Sequence, residues 1–231
     1  MIKINKLILI KMIFLFSYPS YGAQVTVKID FAGNEWNEKE KNTVQKASET
    51  MFARLITAQV ANCIYRESFR PVYLERKSGK IRRRTLSKDS LRKTWSGQVA
   101  FLNKFKRFQI KLIKSKLDAR VLGKAKVGIA EIDRKNYELL NLEISIDPEK
   151  LASNRQHSSN SKELDVWINT LAHEVGHNLG YSHTSGNNWE DDYPGYIPTE
   201  LGYCAMTDGK YGSHLGDFKK IRERKKKFNI R

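Results

Sequence analysis

The sequence predicts an α+β domain with three main helices: a long one near the N-terminus, a histidine-bearing one in the second half and one at the C-terminal end. Three observations carry that prediction. Short apolar–polar alternations, the mark of half-buried strands, recur up to residue 146. Residues 34 to 68 hold neither Gly nor Pro, and their apolar positions repeat at three and four. Residues 163 to 183 set an apolar stripe beside a cluster of His and Glu.

The chain has 231 residues, enough for one domain with a real core. Lys3, Lys6 and Lys11 surround an apolar run from Leu7 to Phe16, followed by Ser17, Pro19, Ser20, Gly22 and Ala23. That order is a basic n-region, a short h-region and a small-residue cleavage site. We expect residues 1–22 to be a signal peptide and 23–231 to form a single domain. A membrane anchor is the rival reading, but the run is short for a span and Lys11 interrupts it. No later segment could cross a membrane. Export, to the periplasm or the medium, implies an oxidising compartment in which Cys63 and Cys204 have one possible pairing. Two separate buried thiols are the alternative. Net charge is +17, and loss of the first 22 residues removes three lysines and no acids, leaving +14. Such a balance favours an anionic surface or a polyanion as partner.

Taken in order, Gln24 to Phe31 alternates through Val25, Val27 and Ile29 and reads as a strand. Val44, Ala47, Met51, Leu55 and Ala58 give the apolar stripe of one helix across Asn34 to Ser68, with Cys63 near its end. Pro71 to Leu74 suits a second strand. Residues 76 to 93 carry Arg76, Lys77, Lys80, Arg82, Arg83, Arg84, Lys88, Arg92 and Lys93 with Asp89 as the sole acid. This reads first as a solvated loop and second as a polyanion patch; with little aromatic interleaving beyond Trp95, the stretch does not support base stacking. Phe108 to Ile113, Lys126 to Ile132 and Leu140 to Ile146 read as further strands, the last two split by a polar turn at Asp133 to Asn136. Pro148 to Ser161 reads as a loop. A helix follows from Glu163, with Leu164, Ile168, Leu171 and Val175 as its stripe, then a loop from Gly186 to Gly202. Asp217 to Arg231 reads as the final, basic helix.

The chemistry lies in His173-Glu174-Val175-Gly176-His177-Asn178-Leu179-Gly180-Tyr181-Ser182-His183. Residues four apart share a helix face, so His173 and His177 can aim two imidazoles at one ion. Gly180 can end the helix in a left-handed conformation and turn His183 back as a third ligand. Three imidazoles with an open position describe a catalytic zinc site. Glu174 stands close enough to take the proton of a water that zinc would acidify to a pKa of about 7. Ordinary helix histidines would not account for the added glycine and third histidine at fixed offsets.

The extended motif resembles that of the metzincins, a clan of zinc endopeptidases. Their second signature is a tight turn bearing a methionine, and Tyr203-Cys204-Ala205-Met206-Thr207 is similar to it, which carries Met206 over. The resemblance implies a metzincin-like zincin fold with a twisted mixed sheet. It implies a strand at the sheet edge that pairs with the substrate backbone, for which Lys126 to Ile132 is the candidate; an internal strand is the alternative. It also implies one catalytic Zn2+, a polypeptide substrate, and metal ligands His173, His177 and His183 with Glu174 as general base and acid. Thr184 after the third histidine assigns no family within the clan. Asp208 stands where some of its families place a metal-binding tyrosine, and Tyr211 lies at the wrong offset. Glu190, Asp191 and Asp192 read as a solvated acidic loop, with calcium as a weaker alternative. His157 and His214 read as structural or surface residues.

The expectation is therefore an exported zinc endopeptidase. The rival is a basic envelope- or nucleic-acid-binding protein that keeps the metal and has lost turnover. Glu174 argues against the rival, because metal binding alone does not need that carboxylate.

Overall fold

The computed structural model describes residues 25–68, 70–77, 80–105, 107–118, 121–133, 135–136, 138–153, 163–183 and 195–210. The expected signal peptide and the C-terminal helix at 217–231 lie outside these, as do Thr184, Glu190 to Asp192, Tyr211, His157 and His214.

Two sheets organise the described residues. In the larger one, β1 (Thr26–Gly33), β4 (Arg107–Lys114) and β7 (Glu138–Ile146) run parallel in that order, and the short strands β5 (Gly123–Ala125) and β6 (Glu131–Asp133) both pair antiparallel with β7. This is the α+β architecture with a mixed sheet. Phe108, Ile110 and Leu112 of β4 are buried by alternation, as the period of a strand requires. In β7 the alternation changes phase at Asn141, which has φ 60°, so that Leu139 and Leu142 both face the core. The smaller sheet joins β3 (Lys80–Thr85), β2 (Val72–Lys77) and β8 (Tyr181–Ser182), all antiparallel.

The expected long helix is two. Helix α1 (Glu38–Leu55) starts at a capping box, where Asn37 and Glu40 bond each other's backbone N–H groups. It stops at Ile56, and α2 (Ala58–Glu67) begins at Thr57. The Thr57 hydroxyl donates to Arg54 O at 2.7 Å and accepts from Val60 N at 3.3 Å, closing one helix and capping the next. A hydroxyl beside a β-branched Ile is a break signal that an unbroken apolar stripe conceals. On the sheet side, the Phe52 ring of α1 stacks on Phe108 of β4 with centroids 3.9 Å apart.

Residues 76 to 93 are not a loop. Those that are described form the end of β2, the antiparallel β3 and the start of α3 (Lys88–Phe105). Ser87 caps α3 by accepting from Ser90 N at 3.1 Å. Leu91, Trp95 and Leu102 are buried at helical spacing, so the Trp95 ring belongs to the core. The density of cations masked a short apolar stripe.

Two further loops are partly helical. Pro148–Ser153 is α4, and the described end of the segment after His183 is α6 (Ile197–Met206), which packs along α5 (Glu163–Asn178). Lys126 to Ile132 is not one strand either. Asn178 Nδ2 donates to Lys126 O at 2.9 Å, and Gly128 N and Ala130 N donate to His177 O and Asn178 O at 2.8 and 3.1 Å. The end of α5 thus captures the backbone between β5 and β6, and leaves β5 at the sheet edge. Among the described residues, no helix is long and apolar enough to cross a membrane.

Candidate metal centre

Helix α5 is buried on nearly every side, with Ile168, Leu171, Ala172 and Val175 fully covered. That packing fixes the rotation of the helix, and with it the direction of His173, Glu174 and His177. The helix ends because Gly180 takes φ +102°, and its N–H closes onto His177 O at 2.9 Å. A Cβ there would stand 2.7 Å from the Tyr73 ring of β2. The chain then enters β8, where Tyr181 and Ser182 pair with Tyr73 and Val72. From α3, Gln98 holds the same turn: it accepts from the Tyr181 hydroxyl at 2.6 Å and donates to Leu179 O at 3.2 Å. His183 follows immediately.

Gly180→Ala should therefore destabilise the protein on two counts. The backbone conformation alone costs roughly 1–2 kcal/mol for a residue with a Cβ, and the Tyr73 contact adds to it. A melting temperature lowered by several degrees is expected, at about 2–4 °C per kcal/mol for a domain of this size. An unshifted melting curve would show that the turn does not need glycine.

The turn brings the three histidines together. Their ring centroids lie 5.0, 5.3 and 4.7 Å apart, and one nitrogen from each falls within 4.8 Å of the others. His177 Nδ1 lies 2.9 Å from Tyr181 O. That carbonyl can only accept, so Nδ1 carries the proton and Nε2 keeps its lone pair. This Nε2 stands 3.2 Å from His183 Nε2. Tetrahedral coordination at zinc–nitrogen distances of about 2.0–2.1 Å separates two ligands by roughly 3.3 Å, so the donor set fits the ion. Burial, then the neighbouring imidazoles, hold His173 well below the usual histidine range, and burial lowers His177 against the pull of Tyr181 O. Both rings are held in the neutral form that ligates metal.

Glu174 is 5% exposed. Burial pushes its carboxyl up to about 8, opposed by the nearby Ala125 backbone N–H of β5. A cation bound at the adjacent imidazoles would favour the charged form again.

Met206 is the last residue of α6 and is buried in the same core as Leu171 and Val175. The chain turns directly after it, through Asp208 at φ 50° and Gly209 at φ 74°. Two links from the N-terminal helices hold this end of α6. Arg54 of α1 donates to Ala205 O and Met206 O at 2.9 and 2.8 Å, satisfying carbonyls that a helix end leaves open. Cys63 of α2 is disulfide-bonded to Cys204, with Cα atoms 5.8 Å apart.

Several residues at the site were not singled out from the sequence. Tyr196, 3% exposed, sets its ring 6.3 Å from that of His183 at a steep angle, and the Arg70 guanidinium lies 4.2 Å over the Tyr196 ring. Asn178 stitches α5 to Lys126 O and Glu143 O. Gly123, a glycine inside a strand-like stretch, did carry a signal, since such a glycine marks close approach of another group. Arg54 and Arg70 carried none, because their partners lie far along the chain.

Among protein families, the model described as metallo-peptidase family M12B, reprolysin-like, matches residues 37–184. The match begins at the cap of α1, takes in the three histidines and Glu174, and covers more than half of the chain. Comparison with curated proteins and with solved structures finds no match.

Proposed function

Because this chain belongs to the reprolysin-like M12B metallopeptidases, a family of zinc endopeptidases, we propose that it works as an exported enzyme whose His173, His177 and His183 hold one zinc and whose Glu174 moves the proton. The observation that carries the reading is a fixed arrangement: three imidazole nitrogens within 4.8 Å, one with its lone pair set by Tyr181 O, beside a buried carboxylate. When bound, zinc supplies a Lewis acid that polarises a carbonyl and acidifies water.

The chain's own residues supply the rest. An extended polypeptide lies along the outer edge of β5, because the backbone that follows β5 is already committed to α5. Glu174 accepts the proton of the attacking water on a carboxylate oxygen. It then delivers that proton to the amine nitrogen as the C–N bond breaks. The buried setting excludes bulk water from the carboxylate and keeps the transfer short. Helix α6 packs along α5, and the Cys63–Cys204 link ties it to α2. Glu190 to Asp192, the candidate calcium ligands, lie outside the described residues.

A peptide library incubated with the zinc-loaded protein, with and without a chelator, tests the reading. Internal cleavage that chelator abolishes and zinc restores is expected. Folded, zinc-loaded protein that cleaves nothing would leave the rival, a metal-retaining binding protein without turnover.

The basic surface supports an anionic partner. Arg82, Arg83 and Arg84 are exposed along β3, with Lys88, Arg92 and Lys93 exposed on α3 nearby. Binding to vesicles of acidic lipid should weaken steeply as salt rises past physiological strength, where charges are screened beyond about 8 Å. Cleavage of a small neutral peptide should hardly change. Equal salt sensitivity of both would place the cations at the cleft and not on a docking face.

A further inference from the structure

Strand β5 and helix α5 meet at Glu174. A Cβ on Gly123 would lie 3.0 Å from Glu174 Cγ, 3.0 Å from its Oε1 and 3.0 Å from Thr170 Cγ2, all inside ordinary contact distance. Two residues on, the Ala125 backbone amide lies close to the same carboxylate. Neither partner can retreat. β5 is paired with β7 through Gly123–Ile146, Lys124–Ser145 and Ala125–Ile144, and Asp147 N donates to Leu122 O at 3.1 Å. On the helix side, Asn178 and His177 bind the backbone of Lys126 and Gly128. The carboxylate therefore occupies a slot opened by the missing side chain of Gly123, with the Ala125 backbone beside it.

We propose that Gly123, with the adjacent Ala125 backbone, is a positioning element that fixes where the Glu174 carboxylate stands relative to His173 and His177. The inference rests on reading Glu174 as the proton-transfer residue. A flexible glutamate on a helix has several rotamers, and only some reach a water held at the imidazoles. Narrowing them in advance is what an edge strand pressed against the side chain accomplishes. Gly123 thus acts through Glu174 by the space its missing side chain leaves, whereas substrate meets the backbone edge of the same strand.

Two measurements on the full, zinc-loaded chain test this. In Gly123→Ala, zinc content should stay near that of the wild type and KM should change by less than about twofold. The value of kcat should fall by up to about 10²-fold, the scale of a misplacement near 1 Å. The Thr170→Ser background removes the competing Cγ2 contact, so Gly123→Ala combined with Thr170→Ser keeps the test alive if the single variant folds poorly. Amide hydrogen exchange is the independent arm. The Ala125 N–H should be protected in the wild type and exchange faster in Glu174→Ala, without a matching change at Ile144 or Ile146. An intact kcat in a folded Gly123→Ala protein would overturn the proposal, as would a raised KM with kcat unchanged or Ala125 exchange indifferent to Glu174→Ala. Wild-type protein without any turnover would defeat the peptidase reading instead, and the exchange arm would still decide whether the slot exists.

Discussion

Glu174→Gln should abolish most turnover while leaving the metal in place. Glutamine keeps the size of the side chain and can still meet the Ala125 region, but it cannot accept a proton from water. Turnover should drop by at least the roughly 10²- to 10⁴-fold typical of general acid–base catalysis, with near-stoichiometric zinc and a normal melting curve. The histidines behave differently. His177→Ala removes a ligand whose Nε2 is pre-set by Tyr181 O, so zinc itself should be lost together with activity. His183→Ala is the sharper case. The residue reaches the site only through the Gly180 turn and the β8–β2 pairing, so a chance pair of helix histidines would be indifferent to it. Metal analysis and peptide turnover on the three proteins decide the matter. Full zinc and full activity in His183→Ala would end the assignment of a three-histidine site.

Removing the Cys63–Cys204 link should be the largest single loss of stability. The bond ties α2 to α6 across 141 residues of sequence. Closing a loop of that length gives about 5 kcal/mol in the chain-entropy model, and measured values are commonly about 2–5 kcal/mol. Both residues are fully buried, so a mild reductant should reach them only when the protein opens. The double substitution Cys63→Ala, Cys204→Ala should lower the denaturant midpoint clearly. It should also loosen the α6 end that Arg54 caps, with weaker zinc retention on dilution into chelator. Non-reducing peptide mapping of the folded protein comes first. Two freely alkylated thiols there, or an unchanged midpoint in the double variant, would remove the bond from the account of stability.

The three-histidine cluster was legible in the sequence because its logic is local. His173, Glu174, His177, Gly180 and His183 fall within eleven residues, and helix periodicity plus one glycine turn places them without knowledge of the rest. The α+β class was legible for the same reason, since strand and helix periods are short-range. Charge and cysteine count set the compartment and partner expectations, again without a fold. Errors arose where short-range signals conflicted. Nine cations from residue 76 to 93 outweighed a stripe of Leu91 and Trp95, and a continuous apolar face hid the Thr57 break in the first helix.

Tertiary structure alone decided what surrounds the site. Nothing near His177 in sequence says that Tyr73 fills the space a Gly180 side chain would need, or that Gln98 holds the turn. Arg54 finds the carbonyls at the end of α6 from more than a hundred residues away. Gly123 makes room for Glu174 across two elements that only the sheet brings together. The physical reason is the same in each case. Ligand spacing follows from the helix pitch, a property of the backbone, whereas the position of a carboxylate or a turn follows from which distant side chain, or missing side chain, the packed core sets against it.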